Sequence, residues 1–368
     1  MKSNKIIHLL FLIICAAILL IPVAFFNFSD ISNEEKRNFE KFPLFFSEEK
    51  FNQNFFTELN SYFEDRIGLK RLFSRIYNTL DSKFPMSDVT KKSGYQGKKN
   101  WLFYNEENLF DFYFKRNLMT EEALDRYTEK LTSIRDWCET QGIKFIFFIA
   151  PNKHEIYEEY FPYHRPEGET VTNQIVNRLK KANICVIYPK ANILHKKEET
   201  EKILYYERDT HWNNLGAYYG AQPLIDSIQQ QFSEIKYDTI SYKFQEEKIF
   251  GGDIENIISA PKRAMTQFVY DCYLNGIKQD SLFTCNTTDR NHIITWSKST
   301  YPKLLMYRDS FATALYQFLA PYFSTSEFLW QDLRNSEKEF ILQEKPDLLI
   351  LEVAERKVTY LLGSDFER

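Results

Sequence analysis

Lys144-Phe145-Ile146-Phe147-Phe148-Ile149-Ala150 is an apolar run with no polar residue after its first. A strand with one face in water would alternate. An unbroken run of this length predicts a strand in a sheet covered on both faces. It ends in Pro151-Asn152-Lys153, a polar loop at the strand's carboxyl end. Upstream, Thr120 reads as an N-cap with Glu121 and Glu122 in the first turn, where negative charge suits the helix dipole. That helix is expected to run to about Thr140 and stop at Gly142.

The alternation continues on both sides. Gly97 to Tyr104 reads as a turn and an aromatic strand. Helices are expected over about Thr170 to Lys181 and Asn214 to Phe232, with a strand from Ile184 to Tyr188. Strands are expected at Lys303 to Tyr307, Glu327 to Trp330 and Asp347 to Val353, with helices over Phe311 to Phe323 and Asn335 to Gln343. The stretch 233–300 is polar and turn-rich, and reads as inserted loops or an antiparallel flap. Strands separated by helices predict an α/β fold with a doubly wound, mainly parallel sheet flanked by helices. Ligands of such sheets gather beyond the carboxyl ends of the strands.

Before this domain, assigned to 96–368, two segments differ in character. Lys2 and Lys5 precede Ile6 to Phe26, a run in which only His8 is polar, and Asp30, Glu34 and Glu35 follow it. The run is long enough to cross a bilayer, and the charge asymmetry keeps the N-terminus cytoplasmic. Leu20 to Phe26 offers a poor cleavage site, so 1–29 is expected to be a signal anchor. Ile14 before Cys15 is not the small residue that a lipoprotein acceptor needs. Residues 30–95 read as a helical stalk or prelude, with Phe51, Phe55, Leu59 and Phe63 at helical spacing and a second helix from about Leu69 to Leu80.

The 368 residues carry a net charge of −4, which leaves no basic footprint for nucleic acid. Aromatic residues make up 17%, with 33 Phe and 23 Tyr. Most belong in a core, and a minority at a cleft rim would suit sugar rings. Five cysteines are too few and too scattered for a disulfide scaffold. Cys138 and Cys185 read as buried thiols; whether Cys272 and Cys285 pair across a hairpin is open.

Two stretches carry chemistry. In Asp209-Thr210-His211-Trp212, extended backbone would put Asp209 and His211 on one side, so that a carboxylate orients an imidazole. Ser310, in Arg308-Asp309-Ser310-Phe311, stands between an expected strand and helix, where a tight turn can present its hydroxyl. An Asp-Ser pair before a helix is also a common N-cap. A metal at Asp209 and His211 would need further ligands, with His154 and His164 the nearest in the chain, and none is expected.

Together these motifs resemble the SGNH-hydrolase-like domain of the alginate O-acetylation proteins (AlgJ/AlgX type) and the related DHHW family. The Asp-x-His precedes the Asp-Ser block, the reverse of ordinary SGNH esterases. Gly97 to Tyr104, Ala150-Pro-Asn-Lys153 and Lys345 to Glu352 with Glu355-Arg356 resemble the family as well. The resemblance implies a Ser-His-Asp enzyme outside the cytoplasmic membrane that moves acetyl groups onto polysaccharide hydroxyls. Ser310 would be the nucleophile, His211 the base and Asp209 its orienting partner, with Trp212, Asn152, Lys153 and Arg308 in support. No cofactor is implied, and the acetyl donor would come from a multipass membrane acyltransferase. Arg308 stands where the esterase block has Gly, and a cation there would lie near the acyl group. The competing readings are a carbohydrate esterase with the same triad and a non-catalytic glycan-binding or assembly factor.

Overall fold

The computed structural model describes residues 93–105, 107, 109–258, 260–289, 291–297 and 301–363, and before them 20, 24–29, 31–32, 37–47, 50–52 and 55–66. The chain divides into two units, one of residues 92–252 and 262–368, the other of 1–91 and 253–261.

The larger unit opens on a hairpin of β1 (Gly94–Gln96) and β2 (Leu102–Tyr104), followed by α1 (Leu109–Tyr113) and α2 (Glu121–Thr140). Then come β3 (Lys144–Ala150), α3 (Lys153–Ile156), α4 (Val171–Lys181), β4 (Val186–Ile187), α5 (Lys190–Thr200) and α6 (Asn214–Gln231). Next are β5 (Ile240–Ile249), β6 (Met265–Leu274), β7 (Ile277–Gln279), β8 (Thr284–Asp289) and β9 (His292–Trp296). The unit closes with β10 (Lys303–Tyr307), α7 (Ala312–Leu319), β11 (Thr325–Leu329), α8 (Glu337–Glu344) and β12 (Leu348–Ala354).

The main sheet runs β8-β9-β11-β10-β12-β3-β4. From β11 to β4 every pairing is parallel, while β8 and β9 add an antiparallel hairpin at one edge. On β3, Ile146, Phe148 and Ala150 enter one core while Phe145, Phe147 and Ile149 enter another. The same split recurs on β12, with Leu348 and Ile350 on the first face and Leu349, Leu351 and Val353 on the second. Helices α6 and α7 cover the first face, and α2 and α4 the second. This is the expected doubly wound α/β sheet, and its period of two explains the unalternated sequence.

The Thr120 cap holds as read: its Oγ1 accepts from Ala123 N at 3.3 Å. Thr170, expected only as the start of the helix that is α4, also caps it, with Oγ1 accepting from Asn173 N at 3.1 Å. Gly142, past the end of α2, takes φ +74, a conformation that needs glycine at no strain. The helix expected over Phe311 to Phe323 instead ends at Leu319 and tightens into a 3₁₀ turn at Ala320–Tyr322. Pro321 explains the change, because it cannot donate to a continuing α-helix. The strand expected at 184–188 shortens to two residues before Pro189. That proline caps α5, a helix that the pattern reading did not find.

The stretch 233–300 resolves into two structures. β7-β6-β5 form a separate antiparallel sheet, with β5 and β6 paired from Ile240↔Leu274 to Ile249↔Met265. β8 and β9 join the main sheet instead. Cys272, on β6, and Cys285, on β8, are both free thiols, so no hairpin disulfide forms; the two strands belong to different sheets.

In the smaller unit the expected amphipathic helix runs Phe55–Arg66. Arg66 Nη1 donates to Ser29 O at 2.6 Å, and its guanidinium lies 4.7 Å from the Tyr62 ring centre. Residues 253–261 contribute a short helix, Asp253–Ile257. The apolar run expected to span a membrane and the helix expected over 69–80 lie almost wholly outside the described residues. Among the described residues no helix is long and apolar enough to cross a membrane.

Candidate active site

β10 delivers Ser310. The strand ends at Tyr307, and Arg308-Asp309-Ser310-Phe311 turns into α7. Asp309 builds this turn. Its Oδ1 accepts from Phe311 N at 2.9 Å, its Oδ2 from Ala354 N at 2.7 Å, and its own N–H donates to Glu352 Oε2 at 2.8 Å. The turn is thus tied to the carboxyl end of neighbouring β12. Burial pushes the Asp309 carboxyl up, but the cations Lys357 and Arg356 and the two N–H donors outweigh it and hold it below its ordinary range. Glu352, buried beside it, is pushed well above the carboxylate range by burial first and then by Asp309's charge.

Asp209 and His211 do not lie on an extended strand. The chain folds into a tight loop between α5 and α6, closed by a bridge between Tyr205 and Trp212. Tyr206 N donates to His211 O at 3.1 Å and Asn213 N to Leu204 O at 3.0 Å. Within the loop Asp209 Oδ1 accepts from His211 N at 3.0 Å and pairs with His211 Nδ1 at 2.6 Å. The expected pairing therefore survives, but an Asx-like turn makes it rather than strand alternation. Thr210 Oγ1 also approaches His211 Nδ1, at 3.0 Å.

The two loops meet. His211 Nε2 lies 2.8 Å from Ser310 Oγ, and Trp212 Nε1 donates to Phe311 O at 3.0 Å. Ser310, His211 and Asp209 are all buried. With Nδ1 held by the carboxylate, Nε2 is placed to take the serine proton.

The supporting residues sort differently from expectation. Lys153 Nζ reaches the loop backbone, donating to the carbonyls of Asp209 at 2.6 Å, Tyr206 at 3.2 Å and Glu207 at 3.4 Å. The ammonium also lies 5.2 Å from the Phe103 ring centre. Asn152 N donates to Glu355 Oε2 at 2.9 Å. The Asn152 side chain joins Tyr104, Leu109, Lys153, Thr210 and Arg356 in lining a small pocket. Arg308 is held by its neighbours: Nη1 donates to Thr313 Oγ1 at 3.0 Å, and the guanidinium lies 4.9 Å from the Trp330 ring centre. His154 lies in the core, 4.8 Å from the Phe161 ring centre and 5.0 Å from that of Phe103.

Four further residues enter to which the sequence reading gave no role: Asp309, Glu352 and Arg356 stood there only within quoted motifs, and Glu107 was not named. Asp309 and Glu352 are described above. Arg356 Nε donates to Glu107 Oε2 at 2.6 Å, and its guanidinium lies 5.3 Å from the Phe311 ring centre. A signal existed for Glu352, a lone carboxylate inside the apolar run 348–354; Glu107 offered none.

The antiparallel sheet expected in this stretch braces the loop. Thr266 N and Oγ1 donate to Glu207 at 2.9 and 2.8 Å, and Asn214 Nδ2 donates to Phe268 O at 2.8 Å.

The family model described as the SGNH hydrolase-like domain of acetyltransferase AlgX matches residues 95–305, more than half of the chain. The chain belongs to this family. The match takes in the Asp209–Trp212 loop and ends before Ser310. Two relatives are the probable alginate O-acetylases AlgJ of Pseudomonas putida, 24% identical over 173 residues, and of Pseudomonas syringae pv. tomato, 27% identical over 175 residues. Each match covers 46% of this chain and 42% of the relative, so less than half of those proteins is spanned. Among solved structures, Bacillus cereus PatB1 with a sulfonyl adduct is 19% identical, with a TM-score of 0.51, covering 71% of this chain and 95% of that one. That likeness concerns the fold.

Proposed function

We propose that this chain is an O-acetyltransferase that moves acetyl groups to hydroxyls of an exopolysaccharide or cell-envelope glycan. The observation that carries the reading is the unbroken hydrogen-bond series from Ser310 Oγ through His211 to Asp209, closed at 2.8 and 2.6 Å. Membership of the AlgX-type family and the AlgJ relatives supply the acetyl group and the class of acceptor.

In the first half-reaction Ser310 Oγ attacks the acetyl carbonyl while its proton passes to His211 Nε2. The donor's C–O bond breaks, the leaving oxygen takes that proton, and acetyl-Ser310 remains. In the second, a sugar hydroxyl gives its proton to Nε2 and attacks the acetyl carbonyl. The Ser310 ester breaks and Oγ recovers the proton. Asp209 holds the imidazole in the tautomer this needs and faces the imidazolium when it forms. The N-terminal apolar run would anchor the protein so that the site faces the extracytoplasmic side, near a multipass acyltransferase that supplies acetyl groups.

The test uses the full chain, a small acetyl ester and glycan acceptors, with intact mass to follow an acetyl adduct. Ester turnover, an adduct and an acetylated sugar that all vanish in Ser310→Ala and His211→Ala are the expected result. Acetate release with no acetylated sugar would replace transfer by hydrolysis. Glycan acetylation in cells unchanged by Ser310→Ala would overturn catalysis altogether.

A further inference from the structure

The Ser310 turn rests on two buried carboxyl groups. Glu352 Oε2 accepts the Asp309 N–H at 2.8 Å, while Glu352 Oε1 is buried and meets no donor among the described residues. The Asp309 carboxylate, its hydrogen-bonding neighbour, already accepts from Phe311 N and Ala354 N. A carboxylate oxygen buried without a donor is costly, and two negative carboxylates in contact are costlier still. A proton on Glu352 removes both costs at once. The protonated carboxyl then becomes a donor, and the Asp309 carboxylate beside it is an acceptor.

The surroundings decide which carboxyl carries the proton. Lys357, Arg356 and two backbone N–H groups face Asp309. Glu352 sits on the strand face of Ile350 and beside Phe148 of β3, and Arg308 is the cation that acts on it most. Arg308 is itself engaged with Asp309 O and Thr313 Oγ1. The charge belongs on Asp309.

We propose that Glu352 is held as a neutral carboxylic acid that donates to Asp309 and so locks the turn presenting Ser310: a positioning residue for the nucleophile. It does not touch the reacting atoms. An acid at this place gives two directed bonds to one residue, accepting from its N–H and donating to its side chain. Asp309 in turn fixes Phe311 N, the amide next to Ser310. This inference rests on the acyl-transfer reading only for its kinetic consequence; the protonation state stands apart from it.

Two measurements on the full chain test it. Difference infrared spectra of wild type against Glu352→Gln at neutral pH should contain the carbonyl band of one protonated carboxylic acid, lost in the variant. For activity, Gln keeps both bonds in neutral form, so Glu352→Gln should retain kcat within about twofold, whereas Glu352→Leu, of similar bulk but without either bond, should lose about tenfold or more with little change in KM. Absence of the infrared band overturns the proposal, as does a Glu352→Gln variant that falls as far as Glu352→Leu. If wild type neither turns over an acetyl ester nor forms an adduct, the functional reading fails, and the infrared band still decides the state of Glu352.

Discussion

Trp212 and Phe311 repeat, one residue further along, the link between His211 and Ser310. The indole N–H donates to Phe311 O at 3.0 Å, and the two rings meet edge to face at 5.2 Å. The His211–Ser310 contact therefore sits beside a second, sequence-adjacent pair that clamps the two loops together. Two side chains delivered by separate loops keep their distance only if something beside them is rigid.

Trp212→Phe should show what that clamp contributes. The ring stays, the donor goes, and Phe311 O keeps the longer bond from Ala314 N, at 3.3 Å. The expected cost is about 0.5–1.5 kcal/mol of stability in urea unfolding. A drop in kcat of about tenfold should accompany it, because small displacements of a reacting pair are expensive. Unchanged kcat would mean that the His211–Ser310 contact is held from elsewhere.

Lys153 holds the same loop from the other side. Its ammonium is buried and gives its protons to three carbonyls of the 206–209 segment. Lys153→Met keeps the stem against Phe103 and Trp101 but leaves those carbonyls to other donors. A stability loss of about 2–4 kcal/mol is expected. Activity should fall more than in Trp212→Phe, since the Asp209 carbonyl itself is released. A variant of wild-type activity would reduce Lys153 to a packing residue.

The first core-forming elements were legible because they depend on neighbours in the chain. The run 144–150 declares a covered strand by itself, and Thr120 and Thr170 cap their helices through residues three positions on. The Asp209–His211 pair was legible for a similar reason, although its local geometry is a turn and not a strand. What the pattern hid is long-range. Nothing in residues 284–296 distinguishes a hairpin that joins the main sheet from one that stands apart. The bonds from Lys153 to residues more than fifty positions away, and from Glu352 to Asp309, exist only once strands and loops are juxtaposed. Arg308 shows the converse: its position was read correctly, but Thr313 and Trp330 decide where its guanidinium goes.

Glu355 should make stability depend on pH in a definite direction. Burial, and then the charge of Glu155, push its carboxyl from 4.5 up to about 7. The folded protein thus holds a proton that the unfolded chain releases at lower pH. The stability tied to this group is fully present below about 4.5 and is lost as pH rises through about 7. Glu355→Gln cannot ionise, and the hydroxyls of Thr172 and Tyr188 can turn to meet an amide. Its unfolding free energy relative to wild type should therefore rise between about pH 5 and about pH 7.5. A difference that stays constant, or moves the other way, would show that Glu355 is ionised in the folded state throughout.

Gly216 offers the sharpest contrast between local preference and packing. It lies in the first turn of α6, where alanine would favour the helix by about 1 kcal/mol. A Cβ there, however, would lie 1.9 Å from Leu204 O and 3.0 Å from Trp212 Cβ, and the nearer atom is backbone that cannot swing aside. To admit it, α6 must lift from the loop that carries His211, or the Leu204 segment of that loop must retreat and break its bond from Asn213 N. Gly216→Ala should therefore destabilise by about 2–4 kcal/mol despite its better helix propensity. Gly220→Ala makes a useful partner, because its Cβ would meet only the Trp212 ring, at 2.9 Å, and a ring edge can shift. That second variant should lose less stability but still lower kcat, through the displaced Trp212 clamp. If Gly216→Ala were as stable as wild type and fully active, the helix would not be what fixes the histidine loop.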